Sequence, residues 1–231
     1  AIGERALHLN VNSNRNVAVG FQALYTHSTT NATDSYNTAV GYAAGSVIST
    51  GVQNTIIGGL AGDALTTGNY NTAVGYTALS SEDAHGGNTA IGFATLQAQN
   101  AGADAYNVAV GHAAGLAVST GTNNTLIGGL AGDALTTGSY NTAVGYLALS
   151  NEDGHGQNVA VGTFALANQN AGANALNVAV GYNAGTSVST GTHNTIVGGF
   201  AGDALTTSSS NVAVGYGSLS TEDTGPVSYT H

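Results

Sequence analysis

The sequence predicts an all-β protein, a parallel β-solenoid of about 13 coils, each 17–21 residues long. Three observations carry that expectation. The pattern Asn, Thr or Val, an aliphatic residue, Val or Ile, then Gly recurs along nearly the whole chain, and such a fixed period is the signature of a repeat architecture. Four coils, with steps of 17, 17, 17 and 19 residues, compose a 70-residue block that is itself repeated. No segment sustains the 3.6-residue apolar period of an amphipathic helix.

Full copies of the pattern begin at Asn16, Asn37, Asn54, Asn71, Asn88, Asn107, Asn124, Asn141, Asn158, Asn177, Asn194 and Asn211, and a truncated copy, Ala1-Ile2-Gly3, opens the chain. The glycines that close them are the predicted turn positions: Gly20, Gly41, Gly58, Gly75, Gly92, Gly111, Gly128, Gly145, Gly162, Gly181, Gly198 and Gly215. The 70-residue blocks start near 41, 111 and 181, and the segment GGLAGDALTTG at Gly58–Gly68 recurs unchanged at Gly128–Gly138. The repeat domain spans 1–219, and 220–231 reads as a C-terminal extension or a truncated next coil.

Each coil reads as a short strand, a turn, a second short extended segment and a loop. In Asn71-Thr72-Ala73-Val74 the β-branched residues alternate, so Thr72 and Val74 share one face and Ala73 takes the other. Gly75 ends the strand where positive φ or close backbone approach is needed. The second segment follows x-Ala-Leu or x-Ala-Gly, as in Thr77-Ala78-Leu79 and Leu60-Ala61-Gly62, and loops of Gly, Ser, Thr, Asn and Asp absorb the insertions. One coil cannot bury a face alone, but coils stacked about 4.8 Å apart can, to a height of roughly 60 Å. Stacking also aligns the motif asparagines into a structural ladder of side-chain amides.

Side-chain volumes co-vary. A large third motif residue (Ile56, Leu126, Ile196) goes with Gly59, Gly129 or Gly199 just after the motif Gly. Ala39, Ala73, Ala90 and Ala143 go instead with Tyr42, Tyr76, Phe93 and Tyr146, which reads as packing compensation in a shared interior.

Composition excludes several classes. Only 6% of residues are charged, the formal net charge is −10, and Arg5 and Arg15 are the two fixed cations, so nucleic acid and anionic membrane surfaces are poor partners. With no cysteine there is no disulfide framework and no thiolate metal site. No apolar run reaches membrane-spanning length, and no secretory leader is visible. The chain contains no Met, which suggests a processed product or a fragment.

Asn71-Thr-Ala-Val-Gly-Tyr-x-Ala-Leu79, in a chain with twelve full copies of the motif, resembles the head repeats of trimeric autotransporter adhesins and the related repeats of phage tail fibres. The resemblance implies a left-handed parallel β-roll with three chains around a common axis. It also implies an extracellular place on a cell or virion surface and a glycan or protein receptor. It implies that Val19, Val40, Ile57, Val74 and Ile91 pack inside each roll, and that Ala18, Ala39, Ala73 and Ala90 face the trimer axis.

Few residues suggest chemistry. Glu82-Asp83-Ala84-His85 and Glu152-Asp153-Gly154-His155 place carboxylates beside a histidine, as a cation site would, although the third copy, Glu222-Asp223-Thr224-Gly225, lacks the His. Both fit solvated loops, and no metal, cofactor or catalytic residue is expected. Ser81, Asp83 and His85 are too close in sequence for triad geometry, and GGLAGD has the wrong offsets for a calcium nonapeptide repeat. Tyr25, Tyr36, Tyr70, Tyr106 and Tyr140 either stack on glycans or cover neighbouring coils. Asn31-Ala32-Thr33 and Asn123-Asn124-Thr125 match glycosylation sequons, as chance allows in so Asn- and Thr-rich a chain.

The sequence therefore points to a non-catalytic, homotrimeric attachment-fibre segment. An ice-binding solenoid is the main alternative. Against it, Thr66-Thr67 recurs only at Thr136-Thr137 and Thr206-Thr207, and Thr at the second motif position alternates with Val as a buried isostere would. A solenoid lyase would need converging acidic and basic groups, which two arginines near one end do not supply.

Overall fold

The computed structural model describes residues 1–29 and 33–221 and the backbone of the strand Ser228–Tyr229. The chain is an all-β parallel β-solenoid of about 11 turns, with no helix among the described residues. The truncated copy at the start stacks on the next coil through the Ile2–Val19 bridge and through further bonds, among them Leu7 N–H to Ala23 O and Gln22 N–H to Glu4 O, both at 3.0 Å. The chain divides into two units, Ala1–Ala113 and Ala114–His231.

In the first unit, β1 (Ser13–Asn14) pairs with β3 (Thr33–Asp34) apart from the main ladder. That ladder runs in parallel register through β2 (Val17–Val19), β4 (Thr38–Val40), β5 (Thr55–Ile57), β6 (Thr72–Val74), β7 (Thr89–Ile91) and β8 (Val108–Val110). In the second, the ladder runs through β9 (Thr125–Ile127), β10 (Thr142–Val144), β11 (Val159–Val161), β12 (Val178–Val180), β13 (Thr195–Val197), β14 (Val212–Val214) and β15 (Ser228–Tyr229). The expected C-terminal extension lies outside the described residues apart from 220–221 and the β15 backbone.

Each coil carries one motif strand, not two. The x-Ala-Leu segment is a run of turns in which Thr77 (φ 53°) and Leu79 (φ 54°) are left-handed. It still bonds to both neighbouring coils: Thr77 N–H donates to Gly59 O at 3.1 Å and Leu79 N–H to Thr95 O at 3.0 Å. Left-handed backbone costs an L-residue about 1–2 kcal/mol. Complete burial of Leu79, worth about 1.5–3 kcal/mol, offsets it.

The inside and outside of the strand are the reverse of those the adhesin resemblance implies. Ala18, Ala39, Ala73 and Ala90 are buried within their own coil stack, whereas Val19, Val40, Ile57, Val74 and Ile91 point outward and are half-buried or exposed. A solenoid this thin leaves room for only a methyl group, or for a larger side chain when the opposite wall recedes. That wall is the residue six positions on. Ile56, Leu126 and Ile196 face Gly62, Gly132 and Gly202, while Ala73 and Ala143 face Leu79 and Leu149, all fully buried. Volume compensation thus operates, but not with Gly59 and Tyr76, which lie on the outside, where Tyr76 is 53% exposed.

A third interior column stands seven residues after the motif Gly. It reads His27, Ile48, Leu65, Glu82, Gln99 in the first unit and Val118, Leu135, Glu152, Gln169, Val188, Leu205 in the second, all buried.

The motif Gly and Asn lock coil to coil. Gly41 has φ 140°, and a Cβ there would stand 2.5 Å from Gly58 O of the next coil. Most motif asparagines use both ends of the amide, whereas Asn16, Asn88 and Asn158 use the Oδ1 end alone. Asn54 Oδ1 accepts from the Asn71 N–H at 2.9 Å, and Asn54 Nδ2 donates to Gly68 O, 14 residues on, at 2.9 Å. The same step recurs from Asn16 to Asn107 and from Asn124 to Asn211. The ladder is therefore mainly side chain to backbone, with direct amide-to-amide bonds from Asn54 Nδ2 to Asn37 Oδ1 at 3.2 Å and from Asn211 Nδ2 to Asn194 Oδ1 at 3.0 Å.

Candidate functional site

Three features could carry function: the outward strand face, the aromatic columns beside it, and the two Glu-Asp-x-His loops. No pocket is present among the described residues.

The outward face of the first unit carries two parallel columns. One is wholly aliphatic: Val19, Val40, Ile57, Val74, Ile91, Val110. The other reads Val17, Thr38, Thr55, Thr72, Thr89, Val108, so the second motif position is not a buried isostere site but an outward one. The second unit repeats this with Ile127, Val144, Val161, Val180, Val197 and Val214 beside Thr125, Thr142, Val159, Val178, Thr195 and Val212. None of these positions is charged. A contiguous apolar strip of this kind exceeds the isolated hydrophobics normal on a surface.

Aromatic rings line the strip. After the motif Gly, Phe21 stacks on Tyr42 (5.6 Å) and Phe93 on both Tyr76 (5.9 Å) and His112 (5.1 Å). On the other side, before the motif Asn, stand Tyr36, Tyr70, Tyr106 and Tyr140, all exposed, whereas Tyr25 is half-buried against His8 at 5.6 Å. Arg15 sits 5.5 Å from the Tyr36 ring and 3.2 Å from Asp34 Oδ2. Tyr106 lies over Gly87, whose Cβ would meet its ring at 2.7 Å, so this tyrosine covers a neighbouring coil. Asn123 is exposed and donates to Thr122 Oγ1 at 3.1 Å; Asn31 and Ala32 of the other sequon lie outside the described residues.

The two Glu-Asp-x-His loops are not plain solvated loops. Glu82 and Glu152 occupy the interior column and have no exposed surface. Glu82 Oε1 accepts the His85 N–H at 3.0 Å and lies 3.4 Å from His85 Nδ1; the Glu152–His155 distances are 3.1 and 3.5 Å. Exposed Asp83 and Asp153 bring a carboxylate oxygen within 4.8 Å of those atoms. Burial pushes the Glu82 and Glu152 carboxyls above their ordinary range, and the His N–H bonds and imidazoles draw them part of the way back. The loop is tied to the coil before it, since Thr66 Oγ1 donates to Asp83 O at 2.6 Å. Glu222 to Gly225 lie outside the described residues.

The other polar members of that column show what the place normally does. Gln99 Oε1 accepts from Asn107 Nδ2 at 2.7 Å, and Gln169 Oε1 from Asn177 Nδ2 at 2.6 Å. His27 Nε2 lies 3.3 Å from Asn37 Nδ2. By position Glu82 and Glu152 would serve Asn88 and Asn158. Yet Glu82 Oε2, Glu152 Oε2 and both of those Nδ2 atoms are buried without a hydrogen-bond partner. This column was not expected from the sequence; its signal there is the constant offset of seven residues from the motif Gly.

Fold and surface together define a parallel β-solenoid that presents an apolar strand face. No protein-family model, curated protein or solved structure matches the chain.

Proposed function

We propose that the chain is a non-catalytic rod segment of a homotrimeric attachment fibre, working outside the cell on a bacterial or virion surface. The observation that carries this reading is the uncharged aliphatic column Val40, Ile57, Val74, Ile91, with the aromatic rings beside it. Such a face is stabilised when a second copy covers it, by about 25 cal/mol for each Å² removed from water. The contact between copies therefore falls on the Val/Ile face and not, as the adhesin resemblance implies, on the Ala face. Tyr70 and Tyr140, exposed at the margin, are candidate contacts for a glycan or protein receptor. Sedimentation equilibrium tests the assembly. The expected mass is three times the 22.6 kDa chain, and Ile57→Lys with Ile91→Lys should yield folded monomer. A wild-type monomer overturns the fibre reading.

One observation favours ice binding as a second reading. Thr38, Thr55, Thr72 and Thr89 form an outward column on four successive coils, in regular parallel register. Thermal hysteresis from a monomer would select it, whereas a monomer without hysteresis would leave a single-chain structural solenoid.

A further inference from the structure

We propose that Glu82, Asp83 and His85, and again Glu152, Asp153 and His155, form two divalent transition-metal sites of the zinc, nickel and cobalt class. Three features support this independently of the fibre reading. First, ligands about 2.0–2.1 Å from a tetrahedral ion lie near 3.4 Å from one another. The Glu Oε1–His Nδ1 separations are 3.4 and 3.5 Å, with an Asp oxygen within 4.8 Å.

Second, although Glu82 Oε1 and Glu152 Oε1 each accept a His backbone N–H, the other donor atoms are not consumed by the fold. His85 Nδ1, His155 Nδ1, Glu82 Oε2 and Glu152 Oε2 are buried and have no hydrogen-bond partner. A buried donor or acceptor left unmade costs about 1–3 kcal/mol, more for a charged group, and here the same orphan set occurs twice. Third, the carboxylate exceeds what the position requires. Gln99 and Gln169 cap the ladder from the same column with a neutral amide, so a buried carboxylate beside an imidazole serves some other purpose. Ion binding neutralises it. One imidazole nitrogen with two carboxylates suits a borderline ion, while calcium asks for six to eight oxygens.

Cobalt(II) titration of the intact chain at neutral pH, followed by its visible absorption and by melting temperature, is the test. The expected result is two ions per chain, displaceable by zinc, and a raised melting temperature with no response to calcium. Glu82→Gln with Glu152→Gln places at both sites the amide that Gln99 and Gln169 already carry in the same column, so it should fold as wild type yet bind at least about tenfold more weakly. His85→Ala alone should leave one site. No stoichiometric binding, or unchanged binding in the paired Gln variant or the doubled His85→Ala, His155→Ala variant, overturns the proposal. The latter result would assign the ion to the remaining histidines.

Discussion

A Cβ on Gly62 would stand 3.2 Å from Ile56 Cδ1, six residues earlier in the same coil. One coil later the same two places hold Ala73 and Leu79, with Leu79 at φ 54° against 49° for Gly62. These two coils divide the space in opposite ways; where both places are small, as at Ala39 and Gly45, the Ile48 side chain fills in, its Cδ1 lying 2.7 Å from where a Gly45 Cβ would stand.

Exchanging the division is therefore expected to be tolerated. Ile56→Ala alone empties a fully buried site and should cost about 2–5 kcal/mol. Gly62→Leu alone overfills it and should cost about 1–3 kcal/mol. Together they recreate the Ala73–Leu79 arrangement, so the double variant should be more stable than the summed singles predict, by about 1 kcal/mol or more. Urea midpoints of the four proteins decide it, and strict additivity would show that the residues do not share space.

That relationship marks the limit of what the sequence made legible. The pattern from Asn71 to Gly75 located each motif strand and the closing turn. It did not say which strand face lies inward, because Thr72, Ala73 and Val74 alternate correctly either way. The choice depends on what stands opposite Ala73. That is Leu79, held in place by left-handed backbone at Thr77 and Leu79, and neither residue type announces such a conformation. The Glu82 loop is illegible in the sequence for the same reason. A carboxylate in a polar segment reads as solvated until the column through Leu65 and Gln99 is known to be interior.

Backbone conformation gives a second expectation, with opposite outcomes at two positions. Gly75 has φ 141°, and a Cβ there would run into the Gly92 carbonyl of the next coil. Gly75→Ala should cost about 2–4 kcal/mol through strain and displaced coils. Gln157 has φ 65° and an exposed side chain, and its counterpart 70 residues earlier is Gly87. Gln157→Gly relieves about 1–2 kcal/mol of left-handed strain against about 0.5–1 kcal/mol of added chain entropy. It should therefore leave stability unchanged or raise it by up to about 1.5 kcal/mol. Chemical denaturation checks both, and a Gln157→Gly variant destabilised like Gly75→Ala would contradict the strain assignment.

His27 supplies the pH dependence. It is fully buried at the place where Gln99 caps the ladder, with Nε2 at 3.3 Å from Asn37 Nδ2, which also donates to Gly51 O at 2.7 Å. An amide nitrogen only donates, so Nε2 accepts, and the folded protein holds His27 neutral with its proton on Nδ1. Burial, opposed by a backbone interaction with Ser49, accordingly lowers its pKa below the ordinary 6.5. The unfolded chain takes up a proton near 6.5, while the folded chain resists until a lower pH. The stabilising contribution is thus complete above the unfolded value and declines as pH falls through it toward the folded one. The raised carboxyl pKa values of Glu82 and Glu152 act in the opposite direction but are common to wild type and variant. His27→Gln isolates the effect, because Gln offers the same acceptor that Gln99 and Gln169 use and does not titrate. The stability of wild type relative to His27→Gln should fall steadily between about pH 7.5 and pH 5, the range in which an unperturbed imidazole takes up its proton. Parallel pH profiles would mean that His27 takes up its proton in the folded coil as readily as in the unfolded chain, against the burial argument.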